Sequence, residues 1–377
     1  MDIPPFEMER WQSLWENEVT YNLSESGVAP FTLAELRGLT GLDPSDTSLG
    51  YGHTQGSPLL RERIAALYPG ATADNVLVTC GSAEANFIAC WRLVEPGDRV
   101  VIVTPTYGQT PGLAEGLGAE VVELPLEEQL GWQPAPGAAT GAIQAGTRLV
   151  VVTNPNNPTG AVLSTDSMSE IMAAAERVGA WVLADEVYAG AELAGPVTST
   201  AWGQSSRVVV AASLSKAYGL PGLRIGWLVA GSDWRDEFWA RKDYTTIAPS
   251  VLSDRLAAAA LEPAIRTQIL ARSRAILTAH LEILSDWIAS FDGILRYRAP
   301  DAGAIALVGY DLEIPSATLA ERLRVEHSTL IVPGDQFGRE GFFRIGFGYS
   351  EAHLRGGLLE LSSLLEQLAE TPPASTP

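Results

Sequence analysis

The chain has 377 residues, 46% hydrophobic and 19% charged, with ten Trp, ten Tyr and nine Phe, which supplies a substantial core and excludes a disordered polymer. Its formal net charge of −20 excludes non-specific binding to nucleic acid or to an anionic membrane surface, because such a surface would repel phosphate. Cys80, Cys90 and the four histidines have no metal-ligand spacing, so no metal is expected.

In chain order, short apolar runs at Asn75–Thr79, Arg99–Thr104, Arg148–Thr153, Ala180–Ala184, Arg207–Ala211 and Gly226–Ala230 read as strands. Helix-like segments such as Ala83–Leu93 and Ser164–Val178 separate most of them, and Gln133–Gly146, rich in Ala, Gly and Pro, reads as a loop. This alternation predicts an α/β fold, a three-layer α/β/α domain around a mostly parallel sheet. After Pro249 the pattern changes to long helical stretches, Ser250–Leu261 and Pro263–Phe291, then strand candidates at Ala304–Val308 and Phe342–Phe347. The expected division is a large domain over 46–249, a smaller α/β domain from 1–45 with 250–370, and a disordered tail over 371–377.

Ligands of open α/β sheets bind beyond the carboxyl ends of the strands, and here those ends are chemically rich. The first run leads into Cys80-Gly81-Ser82-Ala83, where a glycine and free N–H groups at a helix start suit a phosphate. The second ends at Tyr107, an aromatic face. The third enters Asn154-Pro155-Asn156-Asn157-Pro158-Thr159-Gly160, a rigid turn offering amides. The fourth ends in Asp185-Glu186-Val187-Tyr188, an acid that burial makes costly unless a cation or strong donor meets it. The fifth delivers Ser213, Ser215 and Lys216, with Arg224 eight positions later. Lys216 is one of only two lysines against twenty-three arginines. An amine can lose its proton and attack a carbonyl, which a guanidinium does not do, so a lysine kept here is a candidate Schiff-base residue. The other, Lys242, reads as a surface residue. One ligand wants all these groups: phosphate on Ser82, Ser213, Ser215 and Arg224, a ring on Tyr107, a basic ring nitrogen at Asp185, a phenolic oxygen at Asn157 and Tyr188, and a carbonyl at Lys216. That ligand is pyridoxal 5′-phosphate.

The motifs Asn-Pro-Asn-Asn-Pro-Thr-Gly, Asp-Glu-Val-Tyr and Ser-Leu-Ser-Lys-Ala-Tyr-Gly-Leu-Pro-Gly-Leu-Arg-Ile-Gly-Trp closely resemble those of fold type I pyridoxal-phosphate enzymes of the class I/II aminotransferase family. The resemblance implies the aspartate aminotransferase-like fold and a role for each matching position. Lys216 would hold the cofactor and then move the substrate Cα proton, while Asp185 would keep the ring nitrogen protonated. Asn157 and Tyr188 would hold the phenolic oxygen, and Tyr107 would stack on the ring. Ser82, Ala83, Ser213, Ser215 and Arg224 would hold the phosphate, and Arg344, in Phe342-Phe343-Arg344-Ile345-Gly346, would fork onto the substrate carboxylate. Tyr51 resembles the tyrosine that reaches the phosphate of a neighbouring subunit, implying a homodimer with shared sites. The segment Asn22–Val28, with Gly27 over the substrate, departs from the usual Gly-x-Pro of family transaminases and is similar to that of a cyclising branch from antibiotic biosynthesis. Transamination of an amino-acid substrate is the first expectation, and β- or γ-elimination, replacement or cyclisation the alternative. The acidic start lacks an apolar signal core and no run reaches membrane-spanning length, so a cytoplasmic protein with reduced thiols is expected.

Overall fold

A computed structural model describes residues 2–370. Its larger sheet has eight strands in the order Val76–Thr79, Gly226–Val229, Val208–Ser213, Trp181–Asp185, Thr147–Thr153, Arg99–Thr104, Glu120–Glu127, Gln133–Pro134. The five strands from Val208–Ser213 to Glu120–Glu127 are mutually parallel, and Gly226–Val229 runs antiparallel to both of its neighbours. Valine-rich runs form these strands because both faces are covered, which suits β-branched side chains on every position. Alternation divides them cleanly. Val101, Val103, Val150, Val152, Val182 and Val210 enter one apolar cluster. Val100, Ile102, Leu149, Val151, Leu183 and Val209 enter the other. Helix Thr165–Val178 packs on the first face, started by Ser164 Oγ accepting from Ser167 N and stopped by left-handed Gly179. Helix Ser82–Leu93 covers the second. This is the three-layer arrangement read from the sequence.

The stretch Gln133–Gly146 is not simply a loop. Gln133–Pro134 pairs with Leu126–Glu127, and Ala138–Ala142 is a short helix whose free Gly137 and Thr140 N–H groups donate to Glu170. A carboxylate from a distant helix caps it, which local composition does not reveal. Strand Glu120–Glu127 was also hidden in the sequence, its apolar run interrupted by charge and by Pro125.

A second sheet, antiparallel throughout, has the order Leu295–Tyr297, Ile305–Tyr310, Phe342–Gly346, Val332–Pro333. Tyr21–Asn22 pairs in parallel with Thr329–Leu330, and the chain then runs along this sheet. Gly346 N donates to Leu23 O at 2.7 Å and Ala29 N to Gly348 O at 2.7 Å. A side chain at Gly346 or Gly348 would overlap the backbone of Glu25 or Gly27, so these glycines allow the close approach. The stretch 23–29 is thereby laid across the carboxyl ends of the large sheet. The expected tail, 371–377, lies outside the described residues.

Candidate active site

A cavity of ≈ 180 Å³ opens where the parallel strands end. Register explains the convergence: Thr153, Asp185 and Ala211 share one level of the sheet, while Thr79 and Ser213 both pair with Gly226. The connection from Ser213 to Gly226 is a short return across that end, and it carries Lys216 and Arg224. Ser82, Ala83, Tyr107, Asn157, Asp185, Tyr188 and Lys216 all line the cavity, so most of the residues read from the sequence meet in one place. Ser213 and Ser215 are buried beside them at the strand end, with Ser215 N donating to Ser213 Oγ.

Asp185 is buried and accepts from Asn86 Nδ2 at 2.8 Å and from Val187 N at 3.0 Å. Burial raises its carboxyl above the ordinary range, and these donors and the Lys216 charge oppose that shift. Lys216 Nζ lies 3.2 Å from Glu25 Oε1, which also accepts from Ser26 N and Gly27 N. Burial works to lower the Lys216 ammonium, but the attraction of Glu25 and Tyr188 prevails and the net direction is up. Lys216 in turn holds the Glu25 carboxyl low, so the two partners agree. Gly27 packs on this lysine: a Cβ there would stand 3.5 Å from Ser215 O and 3.7 Å from Lys216 Cδ.

Arg344 lies on the central strand of the smaller sheet and is wholly buried. Its Nη1 donates to Asn157 Oδ1 at 3.0 Å and its Nη2 to Ser24 O at 2.6 Å, while Nε has no partner. Arg224, at φ 51°, covers the turn after Thr79, where a Cβ on Gly81 would lie 2.5 Å from Nη2. Tyr51 is 93% exposed and does not line this cavity. Lys242 is no surface residue. It is wholly buried, its Nζ donating to Thr54 O and Ile247 O.

The N-terminal helix Glu7–Trp15 went unread in the sequence, yet Met8, Glu9, Gln12 and Glu16 form one wall of the cavity. Tyr107 O–H donates to Glu9 Oε1 at 2.6 Å and its ring meets Phe6 edge-on. Burial, then the neighbouring Glu25 and Glu9, raise the Glu16 carboxyl. Asn86 was missed as well. Its signal was present, because it lies one helical turn after Ser82 on the same face.

The donor set fits pyridoxal 5′-phosphate. Asp185 is a buried carboxylate whose hydrogen-bond donors are both neutral, which leaves it suited to a protonated ring nitrogen. Gly81, at φ 82°, opens a twelve-residue helix toward the cavity with a guanidinium above it, a cradle for a phosphate. Lys216 supplies the amine.

Comparison with known proteins agrees with this geometry. The chain belongs to the aminotransferase class I and II family, whose model matches residues 16–358, and it is a pyridoxal-phosphate-dependent enzyme. It is 33% identical over 373 residues to capreomycidine synthase of Streptomyces vinaceus, covering 96% of this chain and 94% of that one. A solved pyridoxal-phosphate-dependent aminotransferase from Streptococcus suis superposes with TM-score 0.92 at 34% identity, covering 99% of this chain and all of that one. A solved pyridoxal-phosphate-dependent cyclase, OrfR, superposes with TM-score 0.89 at 28% identity, covering 97% and 98%. A solved aspartate aminotransferase from Thermus thermophilus superposes with TM-score 0.85 at 22% identity over 94% of each chain, so the fold is that of the aspartate aminotransferases. Among the described residues no helix is long and apolar enough to cross a membrane.

Proposed function

We propose that this protein transfers the amino group of an amino acid, with Lys216 as the residue that holds the cofactor and moves the Cα proton. The observation that carries this reading is the placement of Lys216 in one cavity with Asp185, Asn157, Tyr188, Ser82 and Ala83. Bound pyridoxal 5′-phosphate supplies an electron sink for the pair left at Cα when its proton departs. Each step beyond that belongs to the chain. Asp185 would meet the protonated ring nitrogen, and Asn86 Nδ2 and Val187 N hold its carboxylate in place. Asn157 and Tyr188 would bind the phenolic oxygen, and Tyr107, fixed by Glu9 and Phe6, would cover the ring. Ser82, Ala83, Ser213, Ser215 and Arg224 bind the phosphate. Arg344 orients the substrate carboxylate, a bidentate match for its planar fork. Gly27 and its neighbours roof the site and exclude water. Lys216 Nζ would take the substrate Cα proton and give it back at a different atom, which completes the amino transfer.

A second reading rests on the same segment. Glu25, beside Lys216 in the stretch Asn22–Val28, places a carboxylate within reach of a proton in transit. Expulsion of a group from Cβ or Cγ, followed by elimination, replacement or ring closure in natural-product biosynthesis, is compatible with that placement and with the similarity to capreomycidine synthase. Incubation with single amino acids and an oxo-acid acceptor separates the two. Amino transfer that requires the acceptor supports the first reading, and ammonia release or a cyclic product without acceptor supports the second.

The exposed Leu49, Tyr51, Tyr244 and Ile247 suit burial against a second copy, so the protein acts as a homodimer in which Tyr51 reaches the partner's site. Its large unit is 46–249 and its small one joins 1–45 to 250–370. A cytoplasmic location suits the free thiols of Cys80 and Cys90.

A further inference from the structure

Lys242 ends helix Ser232–Lys242 and is wholly buried, although it does not line the cavity. Its Nζ donates to Thr54 O at 2.9 Å and Ile247 O at 2.7 Å, joining two segments far apart in the chain. A compact ammonium fits between two facing carbonyls where a planar guanidinium would not, which accounts for the one lysine kept besides Lys216. The segment after Lys242 folds back on it, with Thr245 N and Ile247 N both donating to Lys242 O. Ile247 sits at φ 63°, a strained outlier for a β-branched residue. Such a conformation persists only where its surroundings hold it, and the ammonium on Ile247 O is one such hold.

The same strained turn is fastened to the candidate phosphate site. Thr246 O–H and N–H donate to Glu84 Oε1 at 2.8 and 3.2 Å, and Thr245 O–H donates to the same oxygen. Glu84 Oε2 accepts from Cys80 N at 2.5 Å. Glu84 stands in the first turn of helix Ser82–Leu93, directly after the Gly81–Ala83 turn. A carboxylate there would repel an anion bound at that turn, and Lys242 is the buried cation whose charge acts against it. Position and charge are thus set by one chain of contacts, from Lys242 through Thr245 and Thr246 to Glu84 and Cys80.

We propose that Lys242, acting through Thr245, Thr246 and Glu84, is a positioning residue for the cofactor phosphate. The proposal rests on the reading that the Gly81–Ala83 turn receives that phosphate. Full-length protein stripped of cofactor is titrated with pyridoxal 5′-phosphate and, separately, with pyridoxal, which lacks the phosphate, following the visible absorbance. Lys242→Met is expected to weaken the phosphorylated compound about tenfold while pyridoxal changes less than about twofold, a loss the size of one buried hydrogen bond. Thr245→Val with Thr246→Val leaves the buried lysine in place and is expected to give the same phosphate-selective loss, so the test survives a Lys242 variant that does not fold. An unchanged preference for the phosphorylated compound, or equal losses for both, would overturn the brace. A wild-type protein that binds the two compounds alike would overturn the phosphate-turn reading, and the brace with it.

Discussion

Lys216 and Glu25 illustrate how one contact sets the behaviour of a nucleophile. The lysine must be neutral to attack a carbonyl, yet Glu25 favours its charged form. Replacing Glu25 by Gln keeps the shape and removes the charge, so the ammonium loses its proton more readily. Cofactor capture by stripped Glu25→Gln protein is therefore expected several-fold faster at neutral pH, with its pH midpoint moved downward. Stopped-flow absorbance across pH checks this, and an unchanged midpoint would show that Glu25 does not govern the amine. At this scale the sequence was legible where a residue's placement follows from its position at a strand end, as for Asp185, Asn157 and Lys216, which line one cavity. It was illegible where the role depends on a distant partner. Glu25 reaches Lys216 across 191 positions, and Lys242 looks like any helix-end lysine until Thr54 and Ile247 close over it.

Among the elements, strand Gly226–Val229 bears most directly on the site because it runs back beside Val76–Thr79. A Cβ at Gly226 would overlap Gly81 C and Ser82 N, both backbone atoms that cannot turn aside. Gly226→Ala is expected to cost about 1–3 kcal/mol in chemical denaturation and to weaken pyridoxal 5′-phosphate more than tenfold by displacing the turn. Retained affinity in a destabilised variant would separate strand packing from the turn's geometry. Four of the five parallel strands were readable because continuous apolar runs between helices have few other interpretations, while Glu120–Glu127 is broken by charge and Pro125. Helix Glu7–Trp15 was not, since its polar face looks solvated in sequence and becomes a cavity wall only when the chain returns from the smaller sheet. The short helix Ala138–Ala142 escaped for a similar reason, being capped by Glu170 of another element.

For the whole molecule, Glu186 links stability to pH. It is buried next to Asp185, accepting from Ala201 N and Thr200 O–H, and burial raises its carboxyl from about 4.5 to about 7. The folded state therefore holds this proton more tightly than the unfolded chain. Its contribution favours folding below about pH 4.5 and is lost as pH rises to about 7, on the order of 3 kcal/mol in all. Glu186→Gln is expected to raise Tm by several degrees at pH 8 and much less at pH 5. Equal gains at both pH values would contradict the burial of an ionising group. The net charge of −20 adds a broad repulsion that also grows with pH, so the variant-to-wild-type difference is the quantity to compare.

Because the chain has only two lysines, attachment of the cofactor at Lys216 can be read from a single peptide. The cofactor-loaded protein is reduced with borohydride, digested and analysed by mass spectrometry. The phosphopyridoxyl mass is expected on the peptide containing Lys216, and none on the peptide containing Lys242. The label on Lys242, or on neither lysine, would contradict it.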